Sequence, residues 1–149
     1  MNNTNIIPIA SDHAGFELKE FLKEELSKQG YKLKDYGTFS TDSCDYPDFI
    51  HPLAKDINDG LYPLGLIMCG SGNGVQITAN KYLKVRCALC WIEEIASLAR
   101  KHNDANIISL PAIFITKEEG LKIATTFLNT DYEGGRHQRR VDKISMLLK

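Results

Sequence analysis

Cys69 is followed by three glycines at alternate positions, in the stretch Leu64-Gly65-Leu66-Ile67-Met68-Cys69-Gly70-Ser71-Gly72-Asn73-Gly74. The apolar run before the cysteine has strand length, and Val75-Gln76-Ile77-Thr78-Ala79-Asn80-Lys81 after it reads as a short helix. Gly70, Gly72 and Gly74 accept positive φ without a Cβ clash, so the backbone can curl tightly. A glycine turn between strand and helix aims free N–H groups outward at the positive end of the helix dipole, which makes a cup for an anion. A thiol on its lip, at a helix N-terminus, has its pKa lowered from about 8.5 and can act as base or nucleophile near neutrality. The loop is not a dinucleotide fingerprint, because the third-glycine spacing and the acidic residue about twenty positions on are both missing. Nor is it a Walker loop, since no Gly-Lys-Ser/Thr follows. A plain tight turn is the alternative for the glycines alone.

Other residues could join this chemistry. Asp12 could simply cap a helix, but His13 stands beside it after an apolar strand. His102 could serve only the dipole of the helix it ends, although His102-Asn103-Asp104 is unusually polar for a plain helix end. Arg136-His137-Gln138-Arg139-Arg140 reads as a solvated surface or a clamp. If it is helical, Arg136 and Arg140 lie one turn apart on one face, and two guanidiniums so placed can hold one phosphate. Asp131, Glu133 and Asp142 flank it too closely for a nucleic-acid patch. His51 reads as an ordinary helical residue.

Cys87 and Cys90 form a C-x-x-C pair, but they lie in Val85-Arg86-Cys87-Ala88-Leu89-Cys90-Trp91, a run that reads as a strand. Residues three apart on a strand point to opposite faces. No second pair completes a zinc site, so buried, inert thiols are expected. No His and carboxylate cluster stands at ligand spacing either, and a metal-free site is expected.

The elements that must position these groups alternate five times. The strands are Ile6 to Ala10, Tyr31 to Tyr36, the run before Cys69, Val85 to Trp91, and Ile107 to Leu110. Pro8 is tolerable near a strand start or edge. Helices are expected over Phe16 to Gln29, with Leu18, Phe21, Leu22 and Leu26 inward, and over Asp48 to Asp59, with Ile50, Leu53, Ala54 and Ile57 inward. A further helix carries Ile92, Ile95, Ala96 and Ala99, and another spans Lys117 to Asn129. Near-continuous apolar strands separated by helices predict a doubly wound, five-stranded parallel sheet, a Rossmann-like αβα sandwich in one domain over residues 1–149. Ligands of such folds bind at the carboxyl ends of the strands, near the switch in strand order. Asp12, His13, the loop with Asp45-Tyr46, and Cys69 to Gly74 fall there. An extra C-terminal helix, with Val141, Ile144, Ser145 and Leu148 on one face, lies outside the alternation and is free to pack on a partner.

The bulk numbers narrow the class. The 149 residues suit one domain with a substantial core. A formal net charge of −1 offers no global field for nucleic acid or an anionic membrane. No apolar run approaches the roughly 20 residues of a membrane span, and Met1-Asn2-Asn3-Thr4-Asn5 lacks a signal peptide's basic and apolar regions. Four cysteines fit a reducing compartment, so a cytoplasmic protein is expected.

Taken together, the motifs resemble the ribose-5-phosphate isomerase type B family, which includes the galactose-6-phosphate isomerase subunits. Asp12-His13, Asp45-Tyr46-Pro47, Cys69 to Gly74, Ala79-Asn80-Lys81, His102-Asn103-Asp104 and Tyr132-Glu133-Gly134-Gly135-Arg136-His137 match in order and rough spacing over nearly the whole chain. The resemblance implies a metal-free and cofactor-free aldose–ketose isomerase working through a cis-enediolate. It implies that His102 helps open the sugar ring with Asp12 near the ring oxygens, and that Cys69 removes the C2 proton. The amides of Gly70, Ser71, Gly72, Asn73 and Gly74 would hold the oxyanion, with Ser71 in the place of a common threonine. His13, Arg136 and Arg140 would hold the phosphate, with His137 nearby; Tyr46 and Asn103 complete the substrate contacts. The family's other base is a glutamate at position 75, where this chain has Val75. Ile113 stands where the family usually has a phosphate-contacting arginine, which leaves allose 6-phosphate and galactose 6-phosphate open as substrates. A silent sugar-phosphate-binding regulator is the alternative of another class, and intact Cys69 and His102 argue against it. The resemblance also implies a homodimer, or a tetramer, with Cys69 of one chain facing His102 and Asn103 of the other.

Overall fold

The computed structural model describes residues 5–148, the last by its backbone. In chain order the elements are β1 (Ile6–Ser11), α1 (Phe16–Lys28), β2 (Lys32–Asp35), α2 (Tyr46–Asn58), β3 (Gly65–Cys69), α3 (Asn73–Ala79), β4 (Cys87–Leu89), α4 (Glu93–Asn103), β5 (Ile107–Pro111), α5 (Lys117–Asn129) and α6 (Arg136–Lys143), with a 3-10 turn over Met146–Leu148. The strands form one sheet in the order β2-β1-β3-β5-β4, and every pairing is parallel. A helix between successive strands returns the chain to the starting edge, which is why the sheet is parallel.

The strands at the centre are buried on both faces. All five residues of β3 and of β5 are buried. Side chains alternate, so Leu66 and Met68 enter the core beneath α1, α4 and α5, while Ile67 and Cys69 enter the core beneath α2 and α3. The first core takes Leu18, Leu22 and Leu26 of α1 and Phe127 of α5; the second takes Ile50, Leu53 and Ile57 of α2. Cys87 and Cys90 enter opposite cores as expected, and burial pushes both thiols up, Cys90 to about 12. The β1–β3 ladder starts at Ile9, so Pro8 withholds no donor from β3.

Several boundaries differ from expectation. β4 is three residues long, not seven, because it is an edge strand supported only by β5. α2 begins at Tyr46 with Pro47 in its first turn, so Tyr46 belongs to a helix and not to the preceding loop. α6 ends at Lys143, and Ile144 is exposed, so the apolar face expected to run on through it is not buried on this chain. The Leu148 side chain and Met1 to Thr4 lie outside the described residues.

Lys19 is the largest departure. Its side chain is fully buried on α1, among the expected apolar stripe. The ammonium meets Asp35 Oδ2 at 2.7 Å and Glu20 Oε2 at 2.8 Å, and lies near the Phe16 and Phe39 rings. Burial alone would raise the Asp35 carboxyl, but hydrogen bonds from Lys19, Lys23 and the Gly37 amide hold it below its ordinary value. A lowered folded-state pKa stabilises above the unfolded value, near 3.9, and that contribution is lost as pH falls through the folded value. Asp35→Asn leaves a buried ammonium without its buried partner and is expected to cost about 3 kcal/mol in urea denaturation at pH 7. Glu20→Gln removes an exposed partner and is expected to cost less than about 1 kcal/mol. Equal losses would mean that Asp35 is not what holds the lysine in the core.

Candidate functional site

The strand order turns between β1 and β3, and their carboxyl ends carry the first group of residues. The last paired residues are Ser11 and Met68, so Asp12 and Cys69 follow side by side. The Asp12 amide donates to Met68 O at 3.4 Å. Asp12 is 7% exposed, and its Oδ1 accepts from the Gly15 amide at 3.1 Å, closing the turn before α1. Asp12 therefore does cap a turn, while standing next to the thiol strand. His13 is half-buried, and its Nδ1 faces the Cys44 amide at 3.3 Å. That acceptor role puts the ring proton on Nε2. Cys44 Sγ lies 3.9 Å from the same nitrogen, a contact that sequence spacing gave no sign of.

The glycine loop is shaped by what crowds it. The Cys69 and Gly70 carbonyls accept from the Ala112 and Ile113 amides, which ties the loop to the end of β5. Gly72 has φ +78°, and its carbonyl accepts from Ser109 Oγ at 2.6 Å. A Cβ on Gly72 would lie 2.5 Å from Leu89 Cδ1, and one on Gly74 would lie 2.6 Å from Cζ of the Tyr46 ring. Tyr46 thus covers the loop from α2. The Asn73 amide donates to Ser71 Oγ at 3.3 Å, while the amides of Ser71 and Gly72 have no acceptor among the described residues. Open amides in a concave loop beside a thiol suit a developing oxyanion. Cys69 itself ends β3, four residues ahead of the first residue of α3, so it is a strand-end thiol and not a helix N-terminal one. Val75 is fully buried and apolar.

The second group lies at the other edge of the sheet. α4 runs back from the end of β4 to the start of β5, so its last turn, with His102 and Asn103, stands by the amino ends of the strands. The length of β5, five residues at roughly 3.3 Å each, separates that edge from the glycine loop. Within one chain His102 and Asn103 do not join Cys69. Asp104 caps α4 in the left-handed region at φ +48° and pairs with Arg86 at 3.2 Å and Arg100 at 3.0 Å. The Glu133 amide donates to Lys101 O at 3.2 Å, which docks the segment before α6 on this helix end. The His102 and His137 rings stack with centroids 4.3 Å apart, and His137 Nε2 lies 3.5 Å from Glu133 Oε1. Burial, helped by the charges of Arg136 and His102, holds His137 below the ordinary histidine value, against the opposing pull of Glu133. Arg136 and Arg140 are exposed and one turn apart on α6, as a phosphate clamp requires. Asn103 lines a cavity of about 670 Å³ with Gln76, Asn80, Arg86 and Ile144.

One expectation needs correction, and one site residue was missed. A His and carboxylate cluster does exist, because folding brings ligand atoms of His102, Glu133 and His137 within 4.8 Å of one another. Glu133 was missed as a site residue, although its i, i+4 spacing to His137 was visible. His51, by contrast, is structural as expected, exposed and bonded through Nδ1 to the Tyr82 hydroxyl at 2.8 Å.

An open parallel sheet with a glycine loop and thiol at its switch point, and histidines and arginines at its far edge, is the architecture of a ligand-binding α/β domain. More particularly, the chain belongs to the ribose/galactose isomerase family, whose model matches residues 7–144. A probable ribose-5-phosphate isomerase B of Mycoplasma genitalium is 43% identical over 138 residues, 91% of each chain. The crystal structure of a ribose 5-phosphate isomerase from Thermotoga maritima superposes with a TM-score of 0.91 at 46% identity, covering 93% of this chain and 96% of that one. The structure of the Mycoplasma genitalium ribose-5-phosphate isomerase B with bound ribulose-5-phosphate superposes at 0.88, with 42% identity and 93% of each chain covered.

Gly72 is the position where the loop depends most on having no side chain. Gly72→Ala forces a strained φ and a clash with Leu89, and is expected to cost about 2 kcal/mol. Thermal unfolding reads the loss, and hydrogen exchange should place it at the end of β3. A neutral substitution would show that the loop has room this geometry denies.

Proposed function

We propose that this chain is an aldose–ketose isomerase that interconverts ribose 5-phosphate and ribulose 5-phosphate. The reading is carried by the position of Cys69, side by side with Asp12 at the switch point and directly ahead of a loop whose Ser71 and Gly72 amides have no acceptor among the described residues. It is supported by the family and by the relative that holds ribulose-5-phosphate. His102 helps open the ring, with Asp12 near the ring oxygens. Cys69 Sγ then takes the proton from C2 and returns one at C1. The enediolate oxygen accepts from the loop amides, each donor worth roughly 10²–10³ in rate, and Ser71 adds its hydroxyl. His13, Arg136 and Arg140 hold the phosphate, with His137, Tyr46 and Asn103 completing the pocket. Val75 carries no base, so Cys69 has no substitute.

The two edges of one chain cannot meet, so this chemistry requires a second copy. In a two-fold homodimer Cys69 of one protomer faces His102 and Asn103 of its partner. The short edge strand β4, exposed Ile77, Leu83 and Ile144, and the cavity beside Asn103 offer a surface for that copy. A tetramer of two such pairs would use the same contact. Among the described residues no helix is long and apolar enough to cross a membrane, and all four cysteines are free thiols, which suits a reducing, cytoplasmic setting. Ile113, exposed beside Gly70 where the family usually has a phosphate-contacting arginine, keeps allose 6-phosphate and galactose 6-phosphate as alternative substrates. Side-by-side rates on ribose, allose and galactose phosphates decide between them.

Cys69→Ala is expected to abolish isomerisation while leaving the melting temperature and inhibitor binding intact. Retention of more than about a tenth of the activity, a barrier change under ~1.4 kcal/mol, would remove Cys69 from the base role. EDTA is expected to leave the rate unchanged or higher, and a loss restored by a divalent ion would overturn enediolate catalysis by side chains alone.

Refolding Cys69→Ala and His102→Ala chains together in equal amounts tests the shared site. Random pairing makes half the dimers mixed, each with one unlesioned site, so about a quarter of wild-type activity should return. No recovery, with mixed dimers confirmed by native mass spectrometry, would mean that the two residues do not meet across an interface.

A further inference from the structure

We infer that His102, Glu133 and His137 form an inhibitory site for a divalent transition metal of the zinc class. The inhibition, though not the binding, rests on the isomerase reading above. Two imidazole nitrogens and one carboxylate make the three-protein-ligand set that such ions take, with a fourth position left for water or substrate. Glu133 Oε1 and His137 Nε2 stand 3.5 Å apart. Bonds of about 2.1 Å at tetrahedral angles put neighbouring ligands roughly 3.4 Å apart, so this pair is already at coordination distance. All three ligand atoms lie within 4.8 Å.

A second observation points to a ligand. Among the described residues His137 Nε2 is buried without a hydrogen-bond partner, since the 3.5 Å approach to Glu133 is too long for a good one. A buried polar nitrogen left unpaired is costly, and a metal bond would satisfy it. The site is also built. The bond from the Glu133 amide to Lys101 O and the Asp104 pairs with Arg86 and Arg100 hold both strips of backbone in place. His102 has to move, because its ring stacks on His137 at an interplanar angle of 18° and parallel rings cannot aim both lone pairs at one point. No hydrogen bond among the described residues holds that ring, so a side-chain rotation suffices. Arg136 opposes the cation, but it is exposed and screened, whereas Glu133 supplies its charge at contact distance.

Metal on His102 would withdraw the imidazole that ring opening needs. The ion would therefore act as a brake on the isomerase, with no part in its reaction.

Cobalt(II) is the direct probe, because a tetrahedral nitrogen and oxygen set gives it visible absorption. Metal-free protein titrated with cobalt(II) is expected to bind one ion per chain and develop that band. Glu133→Gln and His137→Gln should each weaken binding at least tenfold, while His51→Gln should not. Far-UV circular dichroism on each variant confirms folding, and His102→Gln serves as the third variant if one fails. Zinc should displace the cobalt and inhibit turnover of ribose 5-phosphate, with EDTA restoring the rate. No band, or a band unchanged in the folded variants, would overturn the site. A band without inhibition in an active enzyme would overturn the brake. Absence of any sugar-phosphate turnover would instead count against the isomerase reading and leave the spectroscopic result standing.

Discussion

The polarity of a parallel sheet governs this protein. Every strand ends at one edge, and every intervening helix ends at the other, because each helix must carry the chain back. Cys69 ends β3 and His102 lies in the last turn of α4, so a single chain presents the thiol and the imidazole at opposite ends of the sheet. No local adjustment can join them. The arrangement is stable because β1, β3 and β5 are apolar enough to be covered on both faces, and the two cores share the strands by strict alternation.

At the carboxyl edge, the glycine loop is a product of its neighbours. Ser109 anchors the Gly72 carbonyl from β5, Leu89 of β4 fills the space a side chain would need, and the Tyr46 ring lies against Gly74. Three elements thus shape a loop of a few residues. The result is a concave backbone whose Ser71 and Gly72 amides have no acceptor among the described residues, a form suited to holding an anion. At the amino edge, charge does the corresponding work: Asp104 collects Arg86 and Arg100, and the helix end so fixed carries His102 and Asn103.

Buried charge appears in a third place, where Lys19 is held by Asp35 at the end of β2. An unpaired ammonium there would be prohibitive, so the pair ties α1 to the edge strand with a specificity that apolar contact lacks. That edge leads directly into the loop carrying Cys44, which touches His13.

Much of this was legible in the residues themselves. Apolar spacing located the five strands and α1, α2, α4 and α5, the last at its observed bounds, though not the apolar face expected on the final helix, because periodicity is local and survives without knowledge of neighbours. The alternation of faces along a strand correctly sent Cys87 and Cys90 into different cores. The motif residues at Asp12, His13 and Cys69 to Gly74 could be assigned to strand ends, since position in a βα unit follows from order alone. The tertiary structure decided the rest. Only long-range packing chose the strand order, drew Tyr46 over Gly74, and buried Lys19 among leucines. Only the docking of the segment before α6 on the end of α4 brought Glu133 and His137 to His102, across about thirty residues of chain. Such contacts depend on which surfaces meet when the whole chain closes, and spacing along the chain carries no record of that.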